Sequence, residues 1–187
     1  MEIMDIEQRR YPMGPLPRTP EPLDERVRAG HIAIIEEAPR QLRSLVDGLS
    51  RQQLEASYRP GGWTVRQLVH HIPDSHMNAY VRIKLAATEE SPIVKSFEEA
   101  RWAELADAKH GSIDMSLALI DGLHQRWVAF LRSLAAADLR RTFKHASWGN
   151  VTIEETIVMY SWHCRHHAAH IAMALGKPFV NWDSRAL

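Results

Sequence analysis

The sequence predicts an all-α fold, a four-helix bundle behind an extended, proline-rich N-terminal arm. Three observations carry this. Apolar residues recur at helical spacing in four long segments, two capping boxes mark helix starts, and no stretch alternates with the period of two that a strand requires. The elements follow in chain order. Five of the ten prolines lie between Pro12 and Pro22, where each removes a backbone donor and fixes φ. Residues 1–22 therefore read as an arm laid over the domain, and residues 23–187 as one helical-bundle domain. The first long helix is expected from Asp24 to Leu49, with Val27, Ile34, Ile35, Leu42, Leu45 and Val46 on one face and a kink at Pro39.

Gly61-Gly62 breaks the chain, and Thr64-Val-Arg-Gln67 is a capping box that opens a second helix to about Ala87, bent at Pro73. A weaker segment spans Phe97–Ala108. Another long helix is expected from Met115 to Ala136, carrying Leu119, Leu123, Trp127, Phe130 and Leu134. Thr142–Asn150 reads as a loop. Thr152-Ile-Glu-Glu155 is the second capping box, and its helix runs to about Leu175, where Gly176 and Pro178 stop it.

Composition narrows the function classes. In 187 residues, 23 Lys+Arg balance 23 Asp+Glu, so no global basic field draws the chain to nucleic acid. No apolar run reaches the roughly 20 residues that span a bilayer, and the first residues lack the marks of a signal peptide. The single Cys164 permits no intrachain disulfide and fits a reducing cytoplasm, the expected location.

Histidine is the outlier: seven of eleven lie in two windows. On the last helix His163, His166, His167 and His170 fall within an arc of about 100°. Two i,i+4 pairs satisfy the geometry of helical metal sites, His163 with His167 and His166 with His170, and the wheel does not choose between them. The second window, His70-His71-Ile-Pro-Asp-Ser-His76, lies on the second helix. There His76 sits near the centre of the apolar face and His70 and His71 on its flanks. A polar strip through His71, Ser75, Asn78 and Arg82 makes His71 a better ligand than His70 and offers Arg82 to an anionic substrate group. One His from this helix and two from the last would give three imidazoles and an open position, the ligand count of catalytic zinc sites. Zn, Ni, Cu and Fe all accept such ligands. Asp74, Glu154, Glu155, His166 and His170 are candidates for the general base or for orienting the ligands. His31, His110, His124 and His145 read as ordinary.

Gly61-Gly62-Trp63-Thr64-Val65-Arg66-Gln67-Leu68-Val69-His70-His71 with Asp74-Ser75-His76-Met77-Asn78, and Tyr160-Ser161-Trp162-His163-Cys164-Arg165-His166-His167-Ala168-Ala169-His170, closely resemble the two motifs of the YfiT-type branch of the DinB-like helical bundle proteins. Tyr11-Pro12-Met13-Gly14 matches the start usual in that branch, so the likeness spans nearly the whole chain. The resemblance implies a four-helix bundle holding one divalent ion per chain, Zn2+ or Ni2+, on His71, His163 and His167. Pro73 departs from the pattern, standing where the family has alanine. Members are provisionally described as metal-dependent hydrolases, and some wider relatives are S-transferases that use low-molecular-weight thiols such as bacillithiol or mycothiol.

Three functions are therefore carried forward. In a hydrolase, metal-activated water attacks a small-molecule substrate. In a thiol transferase, the same ion activates a thiolate. In a non-catalytic, metal-stabilised binding module, a fourth ligand closes the site. A homodimer is expected from the resemblance.

Overall fold

The computed structural model describes residues 5–19, 22–180 and 182. In chain order its elements are α1 (Ile6–Arg10), α2 (Glu25–Val46), α3 (Arg51–Leu54), α4 (Val65–Thr88), β1 (Ile93–Val94), α5 (Glu99–Trp102), α6 (Ala106–His110), α7 (Ile113–Ser133), α8 (Ala136–Leu139), β2 (Thr142–His145), β3 (Gly149–Thr152) and α9 (Ile153–Ala174). The long helices α2, α4, α7 and α9 form the bundle. Helix α2 packs on α9 and α7, and α4 on the same two, so the consecutive long helices α2 and α4 face each other across the bundle diagonal.

The capping chemistry sets the helix starts. Thr64 accepts from the Gln67 amide at 3.2 Å while the Gln67 side chain accepts from the Thr64 amide at 3.0 Å. Thr152 and Glu155 repeat the exchange at the head of α9. That helix ends in a Schellman arrangement, with Lys177 N donating to Ala172 O, Gly176 N donating to Met173 O, and Gly176 at φ +62°. Asp24 and Ser112 cap α2 and α7. Both internal prolines are carried inside unbroken helices, Pro39 in α2 and Pro73 in α4.

Three sequence expectations need correction. Thr142–Asn150 is a β-hairpin rather than a loop: β2 pairs antiparallel with β3, Phe143 opposite Val151, and parallel with β1. Its strands have four residues each, too short for alternation to register, although Phe143, His145 and Val151 do point inward. The Phe97–Ala108 segment is two short helices, because the chain breaks after Trp102. Within the N-terminal arm, Ile6–Arg10 is one short helix closed by an Asp5–Gln8 capping box.

The core is divided. One apolar cluster gathers Ile32, Ile35, Ala79, Ile83, Trp127, Phe143, Ile157 and Tyr160. A second gathers Leu42, Leu68, Ile72, Leu117, Ile120, Ala168 and Ile171. Between them, at mid-height, α4 contributes His76, α7 His124 and α9 His163: His76 lies between Ile72 and Ala79 in sequence, and His124 between Ile120 and Trp127. A buried polar layer thus interrupts the bundle, and each of its members needs a hydrogen-bond partner.

Candidate metal centre

His71 enters the layer from α4, and His163 and His167 enter from successive turns of α9. One ligand nitrogen from each lies within 4.8 Å of the other two. His71 Nε2 and His163 Nε2 stand 3.3 Å apart. A tetrahedral zinc with bonds of about 2.0–2.1 Å has an edge of about 3.3 Å between ligand nitrogens. The donor set therefore fits a small divalent ion in its chemistry and in that spacing.

Electrostatics favour the ligating, neutral form. Burial holds His71 down at about 4, with His170 adding to the effect. Burial first, then the neighbouring imidazoles, also pushes His163 and His167 well below the ordinary histidine value. Each ring therefore keeps a lone pair at neutral pH. Trp63, which opens the first sequence motif, stands 4.6 Å from the His71 ring and 6.4 Å from that of His167. The sequence placed Trp63 only at the start of its helix; here it also stands against two of the three histidines, His71 and His167.

His166 and His170 form a separate group with His167. His166 stacks on Trp162 at 4.1 Å and leaves its buried Nδ1 without a partner. His170 stacks on Tyr58 at 4.0 Å and bonds to Arg10 O. Among the described residues, α4 supplies a nitrogen to the group of His163 and His167, whereas the group of His166, His167 and His170 draws on α9 alone.

The remaining candidates lie elsewhere or are committed. Glu155 is occupied by its capping box and Arg18, and Glu154 by Arg28 and the Leu23 amide, so neither serves the histidines. Arg82 is buried and donates to Lys95 O at 2.8 Å, tying the segment after α4 to the bundle. His70 bonds Ser116 at 2.7 Å on the side facing α7. Cys164 is buried among Ile34 and Ala38, and burial raises its thiol far from ionisation at neutral pH. A groove of about 460 Å³ between α2 and α7 is flanked by Arg43 paired to Asp121 and Arg132 paired to Glu36, away from the three histidines.

Asp74 is half-buried, and burial with the nearby Asp107 carboxylate raises it to about 6. A carboxyl raised in the folded state binds its proton more tightly there than when unfolded. It costs stability as pH rises from about 4 to 6, and that cost persists at pH 7. Asp74→Asn should stabilise the protein at pH 7 by about 1 kcal/mol, after discounting for partial exposure, and by nothing below pH 4. Denaturant melts at the two pH values measure this. Lost turnover with unchanged metal content would instead make Asp74 the general base.

One residue of the polar layer was not marked for function by the sequence: His124 read as ordinary, whereas His76 read as a core histidine or a supporting group for the ligands. Both are fully buried and hydrogen-bonded to other histidines. The available signal was the position of His124 on the apolar stripe of α7, between Ile120 and Trp127.

Comparison with known proteins places this arrangement. Residues 34–171 match the family model of the DinB superfamily. A provisionally named metal-dependent hydrolase of Oceanobacillus iheyensis is 53% identical over 73% of this chain and 79% of its own. Another of that name from Bacillus cereus is 44% identical over 92% of this chain and 98% of its own. The structure of YfiT from Bacillus subtilis, described as "a probable metal-dependent hydrolase with an unusual four-helix bundle topology", superimposes with a TM-score of 0.86 at 39% identity, covering 91% of this chain and 99% of that one. With the family match, the identities and the shared bundle in agreement, the chain belongs to the DinB superfamily and is of the YfiT type.

Proposed function

We propose that the chain is a metal-dependent hydrolase of small-molecule substrates, with one divalent ion, Zn2+ or Ni2+, held by His71, His163 and His167. The observation that carries this reading is the convergence of three neutral imidazoles from two helices, two buried and His163 partly so, with a spacing that fits such an ion. Three neutral ligands would leave an ion bound there its full charge. An ion held there supplies Lewis acidity and brings the pKa of water close to neutrality.

The chain's own residues do the rest. Trp63 shields the His71 and His167 rings from bulk solvent, which strengthens every charge interaction beside them. His166 stands next to the proposed ligands as a neutral ring, held at about 3 chiefly by burial. Its ring lies 5.0 Å from that of His167, and its Nδ1 is uncommitted. Cys164 takes no part, since its thiol is buried and protonated.

The test is turnover of chromogenic carboxylic and phosphoric esters by metal-loaded protein, chelated protein and His163→Ala, each with and without a low-molecular-weight thiol. Metal-dependent, thiol-independent product release is the expected result. Turnover that requires the thiol would reassign the protein as a transferase. Metal binding without turnover of any ester would favour a binding module.

A further inference from the structure

We propose that two histidine relays, each ending on a main-chain carbonyl, set the tautomers of His163 and His167, and that His76, His124 and His170 are thereby positioning residues for the metal centre. The proposal rests on the reading that His71, His163 and His167 hold an ion.

The first relay draws on all four long helices. It starts at Ile35 O in α2, an atom that can only accept. Residue 39 would normally donate to this carbonyl within the helix, but Pro39 has no amide hydrogen. The freed oxygen lies 2.6 Å from His124 Nδ1, so that nitrogen carries the proton. A neutral imidazole has one N–H, which leaves His124 Nε2 bare. His76 Nδ1, 2.7 Å away, must donate to it. His76 Nε2 is then bare and accepts from His163 Nδ1 at 3.0 Å. His163 is left with its lone pair on Nε2, the nitrogen that faces His71. The direction is imposed at the carbonyl and passed across the bundle one proton at a time.

The second relay runs the same way from the N-terminal arm. Arg10 is the last residue of α1, and its carbonyl has no acceptor role left within that helix. His170 Nε2 donates to it at 3.2 Å, which leaves His170 Nδ1 bare. That nitrogen accepts from His167 Nδ1 at 3.3 Å, so His167 keeps its lone pair on Nε2. Donation from the far nitrogen of a ligating histidine fixes ring orientation and raises ligand basicity. Here the acceptors are further histidines, and the carbonyls behind them stop the rings from flipping tautomer.

The proposal is tested first on metal-free wild-type protein, by long-range 1H–15N NMR of the histidine rings. The expected protons are on Nδ1 of His76, His124, His163 and His167 and on Nε2 of His170; the opposite tautomer at any of these positions overturns the relay concerned. The second measurement is affinity for Zn2+ by competition with a chromophoric chelator. His124→Leu keeps the volume but neither donates nor accepts, and should weaken binding about 10–100-fold. His124→Gln can do both and should bind within a few-fold of wild type. Unchanged affinity in a folded His124→Leu protein overturns the positioning role. A second ion per chain on His166, His167 and His170 overturns the second relay, because it needs the His167 Nδ1 that the relay protonates. Wild-type protein that holds no ion overturns the metal reading and with it the positioning role, whereas the tautomers are read independently of any ion.

Discussion

Metal-free protein should unfold on mild acidification, with a midpoint between about pH 5 and 6. Seven histidines, His71, His76, His124, His163, His166, His167 and His170, are held below the ordinary value chiefly by burial. His166 is held at about 3, and His71, His124 and His170 at about 4. For a base depressed in the folded state, the unfolded chain binds more protons, so stability is fully present above about pH 6.5 and falls as pH drops below it. At pH 5.5 each such histidine costs about 1.4 kcal/mol, and together they cost about 10 kcal/mol, comparable with the roughly 5–15 kcal/mol that holds a domain folded. Far-ultraviolet circular dichroism of chelated protein across pH 4–8 reads the transition. A bound ion, which takes only neutral imidazoles, should move the midpoint to lower pH. A chelated protein still folded at pH 4.5 would contradict the neutral, buried state of the layer.

Replacing His163 with alanine should abolish metal binding, whereas His70→Ala should keep it. His163 turns Nε2 toward His71 and Nδ1 toward His76, so its loss removes one proposed ligand and the orientation of the layer together. Metal analysis of protein purified without a polyhistidine tag should give about one ion per chain in wild type and none in His163→Ala. In His70→Ala the ion should remain. Stability should fall by about 1–3 kcal/mol, because the buried Ser116 hydroxyl loses its 2.7 Å partner. If His70→Ala lost the ion and His163→Ala kept it, the assignment of the ligand set would be wrong.

Most of the bundle was legible because its signals are local. Thr64 with Gln67 and Thr152 with Glu155 act over three residues, and the helices begin where these pairs predict. The same logic applied to Ser50 and Gln53 would have found α3, whose capping box is equally complete. The hairpin was missed because strands of four residues take their stability from pairing and from packing Phe143 and Val151 into the core, not from a pattern long enough to see. The kink expected at Pro39 missed that residue's consequence. The lost amide frees a carbonyl, and only the approach of α7 shows which side chain uses it.

By itself the sequence determined that four histidines share one stripe of the last helix and that three more sit in the second, because helical periodicity is a property of neighbours a few residues apart. Helical spacing alone could not choose between the His163–His167 and His166–His170 pairs, since both satisfy it, and the resemblance to the YfiT-type motifs implied the first. Only the tertiary structure brings His71 from α4 beside that pair, while His166 and His170 gather with His167 in a second group. It also joined His124 to His76 and His76 to His163. Those contacts span 48 and 87 positions of the chain. A hydrogen bond between side chains so far apart exists only once the helices that carry them have packed.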